Sequence, residues 1–539
     1  MAPVTLFFGT FVDLPRLNSG RKHELSINHG VLWVAASTGR VEGFDWSVDS
    51  EEKLQSLVRK SGWAGVQIVR AREDQNEFFF PGFIDTHIHA PQYPNSGLFG
   101  SSTLLDWLES YTFPLESSMS SLSKARTAYD TVISRTLANG TTCASYFATI
   151  HVASTNLLAT LCHTRGQRAL IGRVCMDNPS YCPEYYRDES AQSSTSATEE
   201  TISHIHTLDP ESNLIKPIIT PRFVPTCSRT ALASLGALAA SHTPPLHIQT
   251  HISENTSECG LVHSLFPEYP SYAAVYDAYS LLTPRTILAH AVHLTREEKE
   301  LIASRKAKIS HCPASNSALG SGIAPVRDLI DKGITVGLGT DVSGGYSPSI
   351  LEAVRQACLV SRLLGHTTSE VGEGADGNGK QEEGREVLSV EEALYLATRG
   401  GAAVVDMDGE LGGFEVGMFW DVQMIRLGPT TAAAGTAAAT ASTAGSGSET
   451  QSVVDIFGWE SWTEKVHKWV WSGDDRNVRS VWVRGTLVHS IDGDSDNGSE
   501  QGLFGLASDV MTKDWVRWAM GGVGVGALGL ILGGRARSG

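Results

Sequence analysis

The stretch Pro81-Gly82-Phe83-Ile84-Asp85-Thr86-His87-Ile88-His89 is a short apolar run that ends in two histidines. In a β-strand, residues i and i+2 point to the same face, so His87 and His89 can face one metal ion. The stretch His204-Ile205-His206 has the same spacing but lies in a polar, helix-like region. There, residues i and i+2 diverge by about 200°. We therefore interpret the first pair as metal ligands and the second as surface residues.

Runs of this kind recur along the chain as far as about residue 400. Each short, β-branched-rich run ends in polar residues and is followed by a helix-like stretch such as Ser123–Asn139, Thr230–Ala240 or Thr295–Ser304. Eight strand–helix repeats over roughly 300 residues favour a (β/α)₈ TIM barrel, whose functional side chains follow the carboxyl ends of the strands. The predicted strands are Gly82–His89, Thr141–Ala148, Ala169–Asp177, Ile215–Phe223, Leu246–Glu254, Thr286–His293, Lys308–Asn316 and Ile334–Asp341.

The two ends of the chain add further β-like runs, and together they predict a small β-domain. These runs are Thr5–Val12, Leu25–Ala35, Val66–Val69, Phe419–Ile425, Val453–Phe457 and Val481–Val488. We expect 1–80 and 405–492 to form the composite β-domain, 81–404 to form the barrel, and 493–539 to be an extension. Three stretches of polar or small residues predict flexible loops because they can bury little surface. They are Glu189–Thr198, Thr367–Arg385 and Pro429–Ser452, the last of which lies within the predicted β-domain.

Other predicted strands also end in groups that bind metals. Strand five ends in His251 and Glu254, strand six in His290, and strand eight in Asp341. Imidazoles and a carboxylate that meet at one barrel mouth satisfy the preference of Zn²⁺ for nitrogen and oxygen donors. A second metal in such barrels often needs a lysine at the end of strand four, but that strand ends in Arg222. The sequence therefore predicts a single metal ion.

Composition and charge narrow the class of protein. The chain has 539 residues and a formal net charge of −17, which argues against a general binder of nucleic-acid backbone. Its eight cysteines are scattered without a CxxC pair, and its beginning, Met1-Ala-Pro-Val, lacks the pattern of a signal peptide. We expect a cytosolic, cytoplasmic protein with reduced thiols and no nucleic-acid partner.

The far C-terminus carries the one candidate membrane segment in the sequence. Residues 519–534 are uncharged and contain seven glycines, with arginines on both sides. A spanning helix usually needs at least about 17 apolar residues, and glycine lowers helix propensity. Two interpretations stay open: a tail that contacts a membrane, and a disordered or self-packed appendage.

Residues 81–89 resemble the opening motif of the amidohydrolase superfamily, and the continuation Ala90-Pro91-Gln92-Tyr93 narrows the resemblance to the guanine deaminase family. The similarity covers roughly residues 5–490, apart from the three predicted loops. Further matching stretches are Asn139–Thr142, Tyr146–His151, Thr220–Phe223, His251–Asn255, His311–Asn316, Gly337–Tyr346 and Gly473–Asn477.

The resemblance implies the deamination of guanine in purine catabolism or salvage by a homodimer with one Zn²⁺ per subunit. The implied metal ligands are His87, His89, His251 and Asp341. The implied catalytic residues are Glu254 as proton shuttle, His290, which would orient the attacking water, and Asp341. The implied substrate contacts are Gln92, Arg222, Phe223, Glu254 and His290.

The chemistry of the side chains supports these roles independently. Glu254 lies three residues beyond His251, so it can reach the site without binding the metal, and the fixed cation of Arg222 suits a carbonyl oxygen. Simpler interpretations also exist: Arg222 as a salt bridge at the rim, Gln92 as an ordinary polar residue and Phe223 as a core aromatic. His247 is interpreted as a satisfied core residue, and His311 is left unassigned.

Two other functions are compatible with the same motifs. One is an amidohydrolase that acts on a different ring, such as a triazine or a pterin. The other is a non-enzymatic scaffold that kept the barrel and lost catalysis, which we would expect to lack some of the four ligand residues. All four are present.

Overall fold

The computed structural model describes residues 3–16, 23–100, 102–367, 384–431 and 452–491. Within these ranges, no helix is both long enough and apolar enough to cross a membrane. The apolar stretch at 519–534 lies outside them, as do most of the predicted loops Thr367–Arg385 and Pro429–Ser452. The eight cysteines are all described and are free thiols, in agreement with their scattered spacing.

The strands follow the predicted runs closely. The N-terminal strands are β1 Val4–Asp13, β2 Ser26–Ala35, β3 Val41–Asp45, β4 Gln67–Arg70 and β5 Glu77–Pro81. The central strands are β6 Phe83–His89, β7 Thr141–Phe147, β8 Arg168–Gly172, β9 Val174–Cys175, β10 Ile215–Pro221, β11 His247–Ile252, β12 Thr286–His290, β13 Lys308–His311 and β14 Val336–Leu338. The C-terminal strands are β15 Val422–Arg426, β16 Val478–Val483 and β17 Thr486–Ser490.

The central strands form a parallel barrel. They pair in the order β6-β7-β8-β10-β11-β12-β13-β14, and β9 pairs with β10. At the carboxyl ends, the backbone N–H of Asp341 donates to the carbonyl oxygen of His87 (2.8 Å), and that of His89 donates to Val342 (3.1 Å). These bonds join the last strand to the first at the edge where the predicted site lies. The TIM-barrel prediction is confirmed.

The remaining strands form a second sheet that contains both ends of the described chain. Its order is β17-β16-β15-β5-β1-β2-β3, with β4 beside β1. Aromatic side chains fill its core: the Phe7 and Trp420 rings lie 4.2 Å apart, and the Phe11 and Phe79 rings 4.9 Å apart. The prediction of a β-domain built from both chain ends is also confirmed.

Most helices alternate with the barrel strands along the chain, and one lies between β3 and β4. Their bounds are α1 Glu51–Lys60, α2 Leu104–Trp107, α3 Phe113–Ser118, α4 Leu122–Ala138, α5 Val152–Arg165, α6 Ala191–Leu208, α7 Arg229–Ala240, α8 Thr256–Leu265, α9 Tyr272–Ala278, α10 Arg296–Arg305, α11 Pro313–Ala318, α12 Val326–Asp331, α13 Ile350–Thr367, α14 Val390–Tyr395, α15 Gly401–Val404 and α16 Trp462–Ser472.

The prediction of a flexible loop at Glu189–Thr198 is wrong, because α6 begins inside it. The Ser190 hydroxyl accepts from the backbone N–H of Ser193, and the Ser193 hydroxyl accepts from the N–H of Ser190, which closes a capping box. Further along α6, Ile202 and Ile205 are buried. The cap and the apolar face stabilise a helix that the Ser/Thr-rich composition conceals. His204 and His206 lie on the same helix, away from the barrel mouth, as the sequence predicts.

The predicted strand at Val453–Phe457 is also wrong. Val454 and Ile456 are buried, so the alternation of the sequence is real, but the segment joins neither sheet. Without a partner strand, alternating burial gives an irregular segment. The edge of the second sheet is formed by β16 and β17. A helix that the sequence interpretation missed, α16, follows this segment.

Candidate active site

Three histidines and one aspartate converge at the carboxyl ends of the barrel strands. The Nε2 atoms of His87 and His89 lie 3.2 Å apart, and those of His89 and His251 lie 3.3 Å apart. The Oδ1 atom of Asp341 is 3.1 Å from Nε2 of His87 and 3.2 Å from Nε2 of His89. All four ligand atoms lie within 4.8 Å of one another. A three-nitrogen, one-oxygen set of this kind fits the ligand preference of Zn²⁺.

The strands hold these side chains by simple alternation and by sharp turns at their ends. His87 and His89 share one face of β6, while Asp341 follows β14. Asp341 has a φ of 47°, and His290 has a φ of 75°, a left-handed conformation that is uncommon for residues other than glycine. At Gly339, a Cβ atom would lie 2.9 Å from the His87 Cβ, so glycine is needed for the close approach of these strands.

Burial keeps the three imidazoles uncharged. It lowers the pKa of His87 and brings the pKa of His89 to about 4. Together with the neighbouring imidazoles, burial holds the pKa of His251 well below its ordinary value. Burial acts to raise the pKa of Asp341, but His87 and His89 outweigh it and hold that pKa well below its ordinary value. The cluster therefore presents three neutral imidazoles and one carboxylate, which is the state that binds a metal cation.

A backbone contact sets the tautomer of His251. Its Nδ1 atom lies 2.6 Å from the carbonyl oxygen of Arg222. A carbonyl oxygen only accepts, so Nδ1 carries the proton and Nε2 turns its lone pair toward the cluster. Asp85, a residue of β6, links this strand to the segment before Asp341. Its carboxylate accepts from the N–H of His87 (3.2 Å) and from the hydroxyl of Thr340 (2.5 Å).

A second possible metal grouping, His87, His290 and Cys312, overlaps the first. Burial raises the pKa of the Cys312 thiol well above its ordinary value. A protonated thiol is a poor ligand, so the four-residue cluster is the better metal site.

Beside the cluster lie Glu254 and His290, the predicted proton-transfer pair. The Oε2 atom of Glu254 is 3.4 Å from Nε2 of His290, and Ser321 donates its hydroxyl to Oε1 (3.1 Å). The Oδ1 atom of Asn316 accepts from Nδ1 of His290 (2.9 Å), which fixes the ring with Nε2 directed to Glu254. Burial, with the nearby charge of Asp341, raises the pKa of Glu254 to about 8. This carboxyl can therefore both hold and release a proton near neutral pH.

A pocket opens onto these residues. Of the residues predicted for the site, all but His87 line it, including the predicted substrate contacts Gln92, Arg222 and Phe223. Leu104, Trp107, Leu108 and Leu319 give it apolar walls. Among the residues that line it there is no lysine, and Lys216 is the second residue of β10, at the far end from the cavity. The lysine of strand four thus lies away from the cavity, as its place in the sequence predicts.

Arg222 forms a buried salt bridge, which was the simpler of its two predicted roles. It also lines the cavity, as the predicted substrate contact requires. Its Nη1 atom lies 2.7 Å from Oε2 of Glu116, and its Nη2 atom lies 3.2 Å from Oε1. Glu116 also accepts from Gln92, Nε2 to Oε1 at 2.7 Å. Two of the predicted substrate contacts, Gln92 and Arg222, thus belong to one hydrogen-bonded group.

Two buried carboxylates of the site escaped the sequence interpretation. Glu116 lies on α3 and does not follow a strand. A search for polar residues at the carboxyl ends of strands therefore could not identify it. Glu258 accepts from the N–H groups of Glu254 (2.8 Å) and Asn255 (3.2 Å) at the start of α8. The spacing Asn255-x-x-Glu258 is a capping-box signal that could have been recognised in the sequence.

Comparison with known proteins places this arrangement in a family. The sequence profile of the Amidohydrolase family matches residues 78–488. The chain belongs to the amidohydrolase family. A probable guanine deaminase of Schizosaccharomyces pombe is 50% identical over 416 residues, which are 77% of this chain and 72% of that protein. The guanine deaminase of Homo sapiens is 40% identical over 417 residues, 77% of this chain and 83% of that protein.

Solved structures of amidohydrolases give the same result. A guanine deaminase from C. acetobutylicum, with guanine bound in its active site, is 30% identical with a TM-score of 0.73. An E. coli guanine deaminase is 29% identical with a TM-score of 0.75. Each comparison covers 90% of this chain and 100% of the other. The resemblance to guanine deaminases that the sequence motifs indicated is confirmed.

Proposed function

We propose that this chain is a zinc-dependent guanine deaminase that hydrolyses guanine to xanthine and ammonia. The observation that carries the proposal is one cavity that joins a His/Asp metal cluster, a proton-transfer pair and a fixed guanidinium. Relatives named guanine deaminase, 40–50% identical over three quarters of the chain, support the choice of substrate. The non-enzymatic alternative loses its basis, because every ligand residue is present and all four converge.

The metal would be held by His87, His89, His251 and Asp341. The fit rests on donor chemistry, since the cluster combines neutral imidazoles with an ionised carboxylate. Zn²⁺ bound there would act as a Lewis acid and bring the pKa of a water molecule toward neutrality.

Glu254 would move the protons of the reaction. Its carboxylate takes a proton from the attacking water as the carbon–oxygen bond forms at the ring carbon that bears the amine. The same carboxyl passes that proton to a ring nitrogen. It then takes the remaining proton of the new hydroxyl group and gives it to the amine, and the carbon–nitrogen bond breaks to release ammonia as the carbonyl forms. His290, fixed by Asn316, directs Nε2 to Glu254 and would orient the attacking water.

Arg222, Gln92 and Phe223 would select the ring. A buried guanidinium recognises the 6-oxo group of guanine, an acceptor that adenine lacks. The Gln92 amide offers hydrogen bonds to a purine edge, and the Phe223 ring, 6.4 Å from the His251 ring, bounds the cavity.

An activity screen of the purified full-length chain over guanine, adenine, cytosine and a triazine, with metal analysis of the same sample, tests the proposal. We expect guanine to be the preferred substrate, with one ammonia released per xanthine formed. Turnover of the triazine alone, or no guanine turnover by metal-loaded protein, would contradict it.

We propose a cytosolic homodimer on the strength of the family resemblance. Light scattering on the full-length chain should give the mass of two chains, and a mass of one chain would contradict this. Fractionation of full-length protein and a variant ending at residue 510 tests the predicted tail. Pelleting of the full-length protein alone would support membrane contact, and equal solubility would exclude it.

A further inference from the structure

Glu116 is the most fully hydrogen-bonded carboxylate near the cavity. It is completely buried, and four contacts reach its two oxygens. Oε1 accepts from Gln92 (2.7 Å) and Arg222 (3.2 Å), while Oε2 accepts from Arg222 (2.7 Å) and from the hydroxyl of Tyr186 (2.7 Å). Burial acts to raise the pKa of Glu116, but the Arg222 guanidinium outweighs it and lowers that pKa. The residue is an ionised acceptor with little capacity left for a ligand.

This carboxylate determines which way the Gln92 amide faces. A carboxylate can only accept, so the amide nitrogen must point to Glu116. The amide oxygen then accepts from the backbone N–H of Ser343 (3.2 Å). The amide has one N–H and one lone pair left for the cavity, in a fixed order. Without the negative charge, the amide could turn over and exchange donor for acceptor.

Glu116 also determines which donors of Arg222 remain free. The guanidinium has five N–H bonds in a planar fork. Two of them, one on each terminal nitrogen, are used by Glu116 in a bidentate pair. The group is thereby held in one plane, with further N–H bonds available for an acceptor in the cavity that Arg222 and Gln92 line.

We propose that Glu116 is a positioning residue for substrate specificity, which presents Arg222 and Gln92 to the oxo-bearing edge of the purine. This inference rests on the proposed guanine deaminase activity and extends it to a residue that touches no reacting atom. The recognised feature is an acceptor oxygen beside a ring nitrogen. If a ring carried an amino group in place of that oxygen, the N–H groups of Arg222 would face another donor and would lack an acceptor.

A double-mutant cycle on full-length protein tests the inference, with guanine kinetics measured for wild type, Glu116→Gln, Arg222→Ala and the double variant. Glu116→Gln keeps the shape and removes the charge. We expect kcat/KM to fall about 10- to 100-fold, mostly through KM, as for the loss of a charged hydrogen bond. In the Arg222→Ala background the same change should cost less than it does in the wild-type background, because only its effect on Gln92 remains. Metal content should be unchanged.

Asp421→Asn is the matched control, because it breaks a buried Arg168–Asp421 pair of similar burial at the amino-terminal end of the barrel. Its KM for guanine should match wild type. Glu116→Asp, which keeps the charge but shortens the reach, takes the place of Glu116→Gln in the cycle if that variant does not fold.

Equal losses from the Glu116 substitution in both backgrounds, or a loss confined to kcat, would overturn the positioning role. Failure of the proposed function is a separate result, because wild-type protein would then not turn over guanine at all.

Discussion

The two ends of the barrel each hold buried histidine next to carboxylate, yet they have opposite chemistry. At the amino-terminal end, Nε2 of His247 pairs with Asp406 at 2.9 Å, and Nη2 of Arg285 lies 3.2 Å from its Nδ1. Lys308 forms a further ion pair with Asp406. Both ring nitrogens of His247 therefore have a partner, and the imidazole is satisfied. At the carboxyl end, His87, His89 and His251 turn their Nε2 atoms toward one another and toward Asp341.

The difference teaches how a structural cluster can be told from a functional one. Paired charges and hydrogen bonds satisfy buried polar groups and need nothing more. Imidazole nitrogens that converge beside a carboxylate form instead a set of ligands that a cation can bind. Substitutions at the carboxyl end should therefore affect metal binding and activity, and those at the amino-terminal end should affect stability.

The largest effect is expected from His87→Ala at the carboxyl end. Loss of one imidazole removes a ligand from a four-ligand set, so guanine turnover should fall to the limit of detection. Steady-state assay of the folded variant checks this. Near-normal turnover would remove His87 from the ligand set.

The next largest effect is expected from Glu254→Gln. This change keeps the shape but removes the proton acceptor, and general acid–base groups typically contribute about 10²- to 10⁴-fold. Turnover should fall in that range while zinc content and guanine binding persist, as measured by metal analysis and equilibrium binding. Near-normal turnover with zinc in place would show that the proposed mechanism is wrong even if the substrate is right.

A smaller effect, of a different kind, is expected from Arg222→Ala. Removing a buried charged hydrogen bond costs roughly 1.5–3 kcal/mol, about 10- to 150-fold in affinity. The loss should appear chiefly in guanine binding, with some loss of turnover as charge builds on the oxo group. Unchanged affinity would limit Arg222 to the structural salt bridge with Glu116.

The smallest effect on activity is expected from His247→Ala at the amino-terminal end. Loss of its hydrogen bonds should lower the free energy of unfolding by about 1–3 kcal/mol, while kcat and metal content per folded chain stay at wild-type values. Denaturant unfolding and kinetics on the same sample check both. A loss of metal here would break the comparison of the two ends.

The same variant should change how stability depends on pH. Burial lowers the pKa of His247 from 6.5 to about 4. Between these values the unfolded chain binds a proton at this residue and the folded chain does not, so stability falls as pH falls. His247→Ala should remove that part of the acid destabilisation. An unchanged slope between pH 6.5 and 4 would contradict the depressed pKa.

The carboxyl end was largely predictable from sequence, because its residues follow strands. His87 and His89 share a strand face, and Glu254, His290 and Asp341 each follow a short apolar run, so a barrel brings them together without further information. His247 was predictable as a core residue for the same reason, since it begins a strand instead of ending one.

What escaped prediction depends on contacts distant in sequence. Glu116 lies on a short helix 106 residues from Arg222, and nothing nearby in the sequence marks it as that residue's partner. In α6, capping hydrogen bonds and the burial of Ile202 outweigh a composition typical of loops. At Val454 and Ile456 the alternation is present, but no neighbouring strand pairs with it. Local patterns indicate which face is buried, but not which partner covers it.

Metal content per chain is the most direct test of the difference between the two ends. It is measured by elemental analysis of dialysed full-length wild type, His87→Ala and His247→Ala. The proposed site predicts about one zinc per chain in wild type and in His247→Ala, and almost none in His87→Ala. Two metals per wild-type chain would contradict the single site, and equal metal in both histidine variants would contradict its location at the carboxyl end of the barrel.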